Sequence, residues 1–422
     1  MNKKFFLLPV ALMMGALTLT SCSSDDDDNN STVTEDQFKD RKYGNEAIDA
    51  CDNVVKSLTK ANSIIATANL TSDQETYLRN VLSGVVGNVI IPTYTQLAND
   101  VESLEQTLKG LTVQTITQAQ IDKACSDFKQ ARKNWEQSEA FLMGAASDFD
   151  IDPTIDSWPL NRALLLSYFN TGMNDEMLED ASILGFHALE FILFRNGQNR
   201  KVSELQGNDT YTNFTAISGA KELTYAQTIC TLLKQRCYQL QVAWQGENST
   251  NADRVAVVKA AGLSYKTEGG LSYSENLLGA GTNSRSTFPT LKAAITQVLS
   301  ASEGSCVGIA NEVGTAKIAN PFAAGDIAYV ESPYSYNSIT DFQDNLRSVR
   351  NVWYGTTSGS VASTSFAKFF EAVNTTVEVE SATLNAIEKI GAMPAPFVKY
   401  CSIVWGKNFD DPTNWESTSG EE

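Results

Sequence analysis

The chain has 422 residues, 42% of them hydrophobic, and carries 50 acidic side chains against 32 basic ones for a formal charge of −18. That balance excludes nucleic acid as a partner, because neutralising a phosphate backbone takes clustered Lys and Arg. It suits a cationic ligand or simply a soluble, self-repelling surface, and the length provides for two or more domains.

The N-terminus comes first. Lys3 and Lys4 precede the apolar run FFLLPVALMMGALTLT (5–20), which is too short for a membrane span and leads at once into LTSC, Leu19–Cys22. This pattern resembles a bacterial lipoprotein signal: residues 1–21 are expected to be removed and Cys22 to carry acyl chains. The SSDDDDNNST stretch that follows has no apolar side chain to bury, so 22–34 reads as a disordered acidic tether. An acidic run just after the lipidated cysteine also resembles surface-export signals of some Gram-negative bacteria. The expected location is therefore the cell envelope of such a bacterium, anchored to the outer membrane, with exposure at the surface as the further reading.

From Ser72 onward helical periodicity dominates. Apolar residues recur at three and four over Ser72–Leu111, and over Thr117–Ser147 a stripe runs through Ile121, Ala124, Phe128, Ala131, Trp135 and Leu142. Asn174–Arg195 begins acidic, as the helix dipole favours, and Thr224–Gln245 is amphipathic. Between Gly246 and Pro289 the chain turns rich in Gly, Ser and Asn, a loop composition. Helical patterns return over Leu291–Ala319, Ser338–Tyr354, Ser365–Ala392 and Pro396–Gly406, and strand alternation is scarce. The expected fold is all-α, with two helical-bundle domains of the four-helix kind at 35–245 and 291–422, joined by an irregular linker or insertion at 246–290.

Six cysteines follow Cys22: Cys51, Cys125, Cys230, Cys237, Cys306 and Cys401. An exported protein can pair them, but Cys230 and Cys237 lie about 10 Å apart along one helix, too far for a bond within it. None has zinc–thiolate spacing.

The chemistry gathers in GFHALEFILF, Gly185–Phe194, which holds the chain's one histidine. The segment is apolar on every side and so is buried, yet it carries His187 and Glu190 at i and i+3, on one face. A buried carboxylate neutralises or finds a partner. Either Glu190 bonds to His187 or to an Arg or Tyr of another helix, or both residues ligate a metal. HExxH and HxxEH are absent, and a di-iron site wants two Glu-x-x-His pairs. Any metal must then be held by one imidazole plus oxygen ligands, a set that suits Fe, Mn, Ca or Mg better than zinc, which is usually held by several His or Cys.

Three further stretches stand out. Glu139 follows Trp135 by four and so shares its face of the expected helix. DFDIDPTIDSWPLN (148–161) holds Asp148, Asp150 and Asp152, read as a solvated acidic turn because the Gly and distal Glu of an EF-hand are missing; it ends in Asp156, Ser157 and Trp158. In ESPYSYNSITDFQDNLRSVRNVWYG (331–355), Ser338-x-x-Asp341 reads as a capping box, whereas Glu331, Tyr334 and Ser335 have no such structural reason to be there.

These motifs together resemble the imelysin family. GFHALEF fits its Gly-x-His-x-x-Glu motif, VIIPTYTQL (89–97) its opening helix, WEQSEAFLMG its second signature, DSWPLN the turn that follows, and 331–355 its C-terminal signature. The resemblance runs from about Asn88 to Phe397, leaving Thr34–Gly84 as an extra N-terminal piece. It implies two helical domains with the signature residues gathered in a cleft between them. His187, Glu190 and Glu139 are then the implied metal ligands, with Trp135, Asp156, Ser157, Trp158, Glu331, Tyr334, Ser335, Ser338 and Asp341 around them. Members are described both as peptidases and as exported proteins of iron uptake. The implied function is binding of a metal, iron above all, or of a small iron-bearing ligand, working with envelope transport proteins. The alternative is a metal-dependent endopeptidase with Glu190 or Glu139 as base.

Overall fold

A computed structural model describes residues 33–172 and 177–411. The expected signal at 1–21, the lipid attachment at Cys22 and nearly all of the tether lie outside the described residues. The fold is all-α, with one short hairpin among the described residues (β1 Phe194–Arg195, β2 Gln198–Asn199).

The principal helices are α1 (Lys42–Thr67), α2 (Ser72–Leu108, with a π-turn at Val86–Ile90), α3 (Gln118–Glu136), α4 (Ile151–Asp156), α5 (Gly185–Leu193) and α6 (Gly219–Gln245). They are followed by α7 (Leu291–Ser300), α8 (Cys306–Glu312, running into a π-helical turn at Val313–Ile318), α9 (Ser338–Tyr354) and α10 (Val379–Gly391). Capping is local and legible. Thr71 and Thr117 each start a helix with a complete capping box, closed by Gln74 and Gln120. α2 is long and apolar enough in one window to match a membrane span by length and composition, but 56% of that window is buried inside the fold, as in a core helix.

One bundle is built from α2, α3, α5 and α6, which pack on one another; α7, α8, α9 and α10 form the other together with α1. The N-terminal helix therefore sits with the C-terminal bundle, not with 35–245 as its place in the sequence suggests. Its apolar stripe (Ala47, Cys51, Val54, Leu58, Ala61, Ile65) is fully buried, and helices adjacent in sequence need not be adjacent in space. α3 and the turn after it meet α8 and α9, so the bundles join along one shared core. The 246–290 segment is an arm carrying two short helices, Ala252–Ala260 and Tyr273–Leu278, that packs onto α6.

Four helices are shorter than periodicity predicts, and the pattern over Ser365–Ala392 is split into Phe366–Ala372 and Val379–Gly391. α3 stops at Glu136, and Glu139–Phe141 forms a 3-10 turn, held where Tyr94 Oη donates to the Phe141 carbonyl (3.1 Å) and Ala140 N to Ser348 Oγ (3.1 Å). α5 begins only at Gly185, preceded by 3-10 turns, because the backbone is extended at Leu184 and left-handed at Gly185 (φ +72°). The pattern over Leu291–Ala319 is interrupted at Ser302–Gly304, where Gly304 accepts a bond from Met143 N (3.2 Å) at the bundle interface. The six cysteines among the described residues are all buried and free.

Candidate functional site

The site starts with how closely α5 approaches α4. A Cβ on Gly185 would lie 2.1 Å from the Ile155 carbonyl oxygen, and its φ is in the left-handed region, so only glycine lets the two helices meet. That approach sets the His187 ring beside Asp156, with Nε2 3.0 Å from Asp156 Oδ1 and 3.7 Å from Glu331 Oε1. The imidazole is 1% exposed, and its Nε2 makes no aligned hydrogen bond. On its other side Nδ1 is 3.4 Å from Glu190 Oε2. The Trp158 ring covers the imidazole with centroids 4.7 Å apart, and its indole N–H donates to the Tyr329 carbonyl (3.1 Å).

Glu190 faces away from this junction. Its Oε1 accepts from Tyr334 N (3.1 Å), Ser335 N (2.7 Å) and Ser335 Oγ (2.6 Å), so the carboxylate clamps the 331–337 loop. That loop contains two non-glycine residues at positive φ, Ser332 and Tyr336, conformations that cost roughly 1–3 kcal/mol each and persist only when the surroundings enforce them. The hairpin helps: Gly197 N donates to the Tyr334 carbonyl (2.9 Å), and a Cβ on Gly197 would strike the Tyr336 ring. Ser338 and Asp341 are not a capping box. The N-cap of α9 is Asn337, Ser338 Oγ donates to the Glu331 carbonyl (2.5 Å), and Asp341 is buried, accepting from Ser332 Oγ (2.6 Å) and Asn337 Nδ2 (2.5 Å).

The centre of the cluster is a residue the sequence reading passed over. Arg132, 1% exposed on α3, pairs through its guanidinium with Asp156, Glu331, Glu136 (2.6 Å) and Asp341 (3.4 Å). Lys317, on the π-turn after α8, reaches Glu331 Oε2 at 3.1 Å. Trp135 donates its indole N–H to Asp156 Oδ2 (2.6 Å), and Asn345 donates to Glu136 Oε2 (2.6 Å). Three sets of donor atoms each lie within 4.8 Å of one another: Asp156, His187 and Glu331; Glu136, Glu331 and Asp341; Glu136, Glu139 and Asp156.

Carboxylates outnumber cations here, and their ionisation divides accordingly. Burial holds Glu136 and Glu139 well above the usual carboxylate range and pushes Asp341 and Asp152 up to about 7. Burial also opposes ionisation of Asp156 and Glu331, but Arg132 and His187, with Lys317 for Glu331, overcome it and hold both below their ordinary values. His187 is raised well above its ordinary value: burial and Arg132 oppose its protonation, and Asp156 and Glu190 prevail.

Above the cluster opens a cavity of about 770 Å³ between the bundles, roofed by the arm. Asp156 and Glu331 face both it and the buried cluster; Glu139 and Glu312 complete its acidic floor, beside which Lys317 is the cation. Asp148 and Asp150 are exposed, as expected of a solvated turn, and with the half-buried Asp152 they form one wall, where Tyr273 of the arm donates to Asp148 Oδ2 (2.7 Å). His187 and Glu190 lie beneath this floor. Ser157 is half-buried at the end of α4 and makes no hydrogen bond to the cluster among the described residues. Arg132, Glu136 and Lys317 did leave a sequence signal. Each is a charge inside an apolar stripe: Arg132 between Phe128 and Trp135, and Lys317 within VGTAKI.

The fold and the site together define a two-bundle helical protein whose interface encloses a histidine–carboxylate centre. The Imelysin family model, classed among peptidases, matches residues 90–412, and the chain belongs to the imelysin family. It is 26% identical over 317 residues to iron-regulated protein A of Synechococcus elongatus, covering 75% of this chain and 76% of that protein. A crystal structure described as an iron-regulated protein A precursor from Parabacteroides distasonis shares the fold with TM-score 0.58 at 23% identity, covering 80% of this chain and 90% of that one. An imelysin-like protein from Psychrobacter arcticum aligns over 78% of this chain and 97% of its own with TM-score 0.43 and 12% identity.

Proposed function

We propose that the protein is an envelope lipoprotein, anchored through Cys22 to the outer membrane of a Gram-negative bacterium, that captures iron or a small iron-bearing ligand in the cleft between its bundles and serves iron uptake alongside envelope transport proteins. The observation that carries this reading is the convergence of acidic donors from both bundles on His187, at the floor of an acidic cavity. One imidazole nitrogen without an aligned hydrogen bond, beside the Asp156 and Glu331 oxygens, is a donor set that suits Fe or Mn; calcium prefers oxygen alone, and structural zinc takes more His or Cys. The name of the Synechococcus relative points the same way.

The peptidase reading keeps one support. Glu139 lines the cavity, and burial holds its carboxyl well above the usual carboxylate range, the environment of a tuned acid or base. Glu190 does not serve that reading, since it is fully buried and its Oε1 already accepts three hydrogen bonds.

The test is metal analysis of untagged protein, followed by equilibrium dialysis against Fe²⁺, Mn²⁺, Zn²⁺ and Ca²⁺ with a His187→Ala control. Retention of iron that depends on His187 supports capture. Chelator-sensitive casein cleavage that depends on Glu139, without metal retention by the resting protein, transfers the assignment to the peptidase. Labelling with radioactive palmitate, lost in Cys22→Ala, tests the anchor.

A further inference from the structure

The guanidinium of Arg132 occupies the ground a metal would take. Its carboxylate partners are Glu136, Asp156, Glu331 and Asp341, and each of the three donor sets contains at least two of them. Every guanidinium nitrogen is committed: Nε to Asp341, one terminal nitrogen to Asp156, the other to Glu136 and Glu331. The side chain is 1% exposed, comes from α3 of the first bundle, and binds two acids of the second, so it also joins the bundles at the site.

We infer that Arg132 is a resident counter-cation that competes with the captured ion for the same oxygens, setting the affinity of the site and restricting it to cations of charge two or more. This deepens the metal-capture reading and rests on it. In the absence of an ion, the ionised acids around the guanidinium, Asp156 and Glu331 above all, need positive partners, because unpaired buried charge is far more costly than a paired one. A monovalent organic cation arriving from the cavity offers those oxygens nothing that the tethered guanidinium does not already supply without loss of translational freedom. A divalent or trivalent ion does offer more, since attraction to each carboxylate scales with its charge. Binding is then an exchange, in which Asp156 and Glu331 transfer oxygens from Arg132 to the ion. Such a site releases its ion more readily than one whose acids have no other partner, as a delivery protein requires.

The experiment is Mn²⁺ and anaerobic Fe²⁺ titration of the full-length lipoprotein in detergent, comparing wild type with Arg132→Gln and Arg132→Lys, with the melting temperature of each recorded with and without metal. The expected result is affinity at least about tenfold tighter in Arg132→Gln, close to wild type in Arg132→Lys, and a larger metal-induced rise in melting temperature for Arg132→Gln. Because the Gln variant leaves acids unpaired, the double variant Arg132→Gln/Asp341→Asn is measured beside it; it removes one of those acids and leaves Asp156, His187 and Glu331 intact. Equal or weaker binding in folded Arg132→Gln and in the double variant, with wild type binding normally, overturns the inference and makes Arg132 a strut between bundles. Absence of binding in wild type and variants alike removes the metal reading itself, and the inference with it.

Discussion

Replacing Glu190 with Gln separates a ligand from a clamp. The glutamine keeps an oxygen that can accept from Tyr334 N, Ser335 N and Ser335 Oγ, but the three bonds cease to be charge-assisted. Hydrogen bonds to a charged group contribute about 1.5–3 kcal/mol and neutral ones about 0.5–1.5. Allowing for non-additivity among bonds that share one acceptor, the change destabilises the fold by about 2–4 kcal/mol. Glu190→Ala, which strands two loop amides, is the harsher variant. Urea denaturation of the metal-free protein measures the loss, and Mn²⁺ titration measures the site. If Glu190 acts by holding the loop that carries Glu331, stability falls by that amount, metal stoichiometry is kept, and affinity drops roughly ten- to hundredfold, as for residues that orient ligands. Complete loss of binding at unchanged stability would refute the reasoning and make Glu190 a direct ligand.

Gly185→Ala forces a Cβ within 2.1 Å of the Ile155 carbonyl at φ +72°; strain and overpacking together cost roughly 2–5 kcal/mol, read as a lowered denaturation midpoint with loss of metal affinity. The metal-free protein loses stability as pH rises from about 4 to about 7. Asp341 and Asp152 have folded values raised to about 7, so their contribution is complete below the ordinary carboxyl value and disappears as pH rises through about 7. On the acid side Asp156 and Glu331, with depressed folded values, give up their contribution as pH falls through those values; melting curves across pH 3–9 reveal both limbs. Calorimetry in buffers of different ionisation enthalpy detects proton release on Mn²⁺ binding at pH 7, since protons held by the surplus acids must leave.

Much of this was legible in the sequence, for identifiable reasons. Helices with caps at their own ends, such as α2 after Thr71 and α3 after Thr117, follow from local patterns. The buried His187–Glu190 pair was visible because polar residues in an all-round apolar helix need an explanation. What could not be read was anything decided by partners distant in sequence. The placement of α1 against α10 depends on contacts more than three hundred residues apart. The end of α3 at Glu136 depends on bonds from Tyr94 and Ser348. Ser338 and Asp341 look like a capping box in one dimension and are drawn in three to Glu331 and Arg132. Arg132 shows in the sequence only as a charge inside an apolar stripe; its pairing is decided by four acids that come from α3, α4, α9 and the loop before α9.

On the proposed capture of an ion, the geometry also constrains how that ion would reach the histidine. His187 is 1% exposed and lies beneath the cavity floor, so it is not the first group an incoming cation meets. The wall of Asp148, Asp150 and Asp152 raises the local cation concentration, and Asp156 and Glu331 then form the passage, because they alone among its acids both face the cavity and lie within 4 Å of the ring. In a hydrolase the water-bearing position must open toward the substrate. Here the imidazole lies behind the carboxylates, shielded by Trp158, which serves retention of an ion better than presentation of it to a peptide bond. Asp156→Asn accordingly slows metal association by more than it speeds dissociation, whereas His187→Ala chiefly speeds dissociation. Stopped-flow mixing with Mn²⁺ distinguishes the two, and equal effects on both rates in both variants would mean that the cavity is not the route.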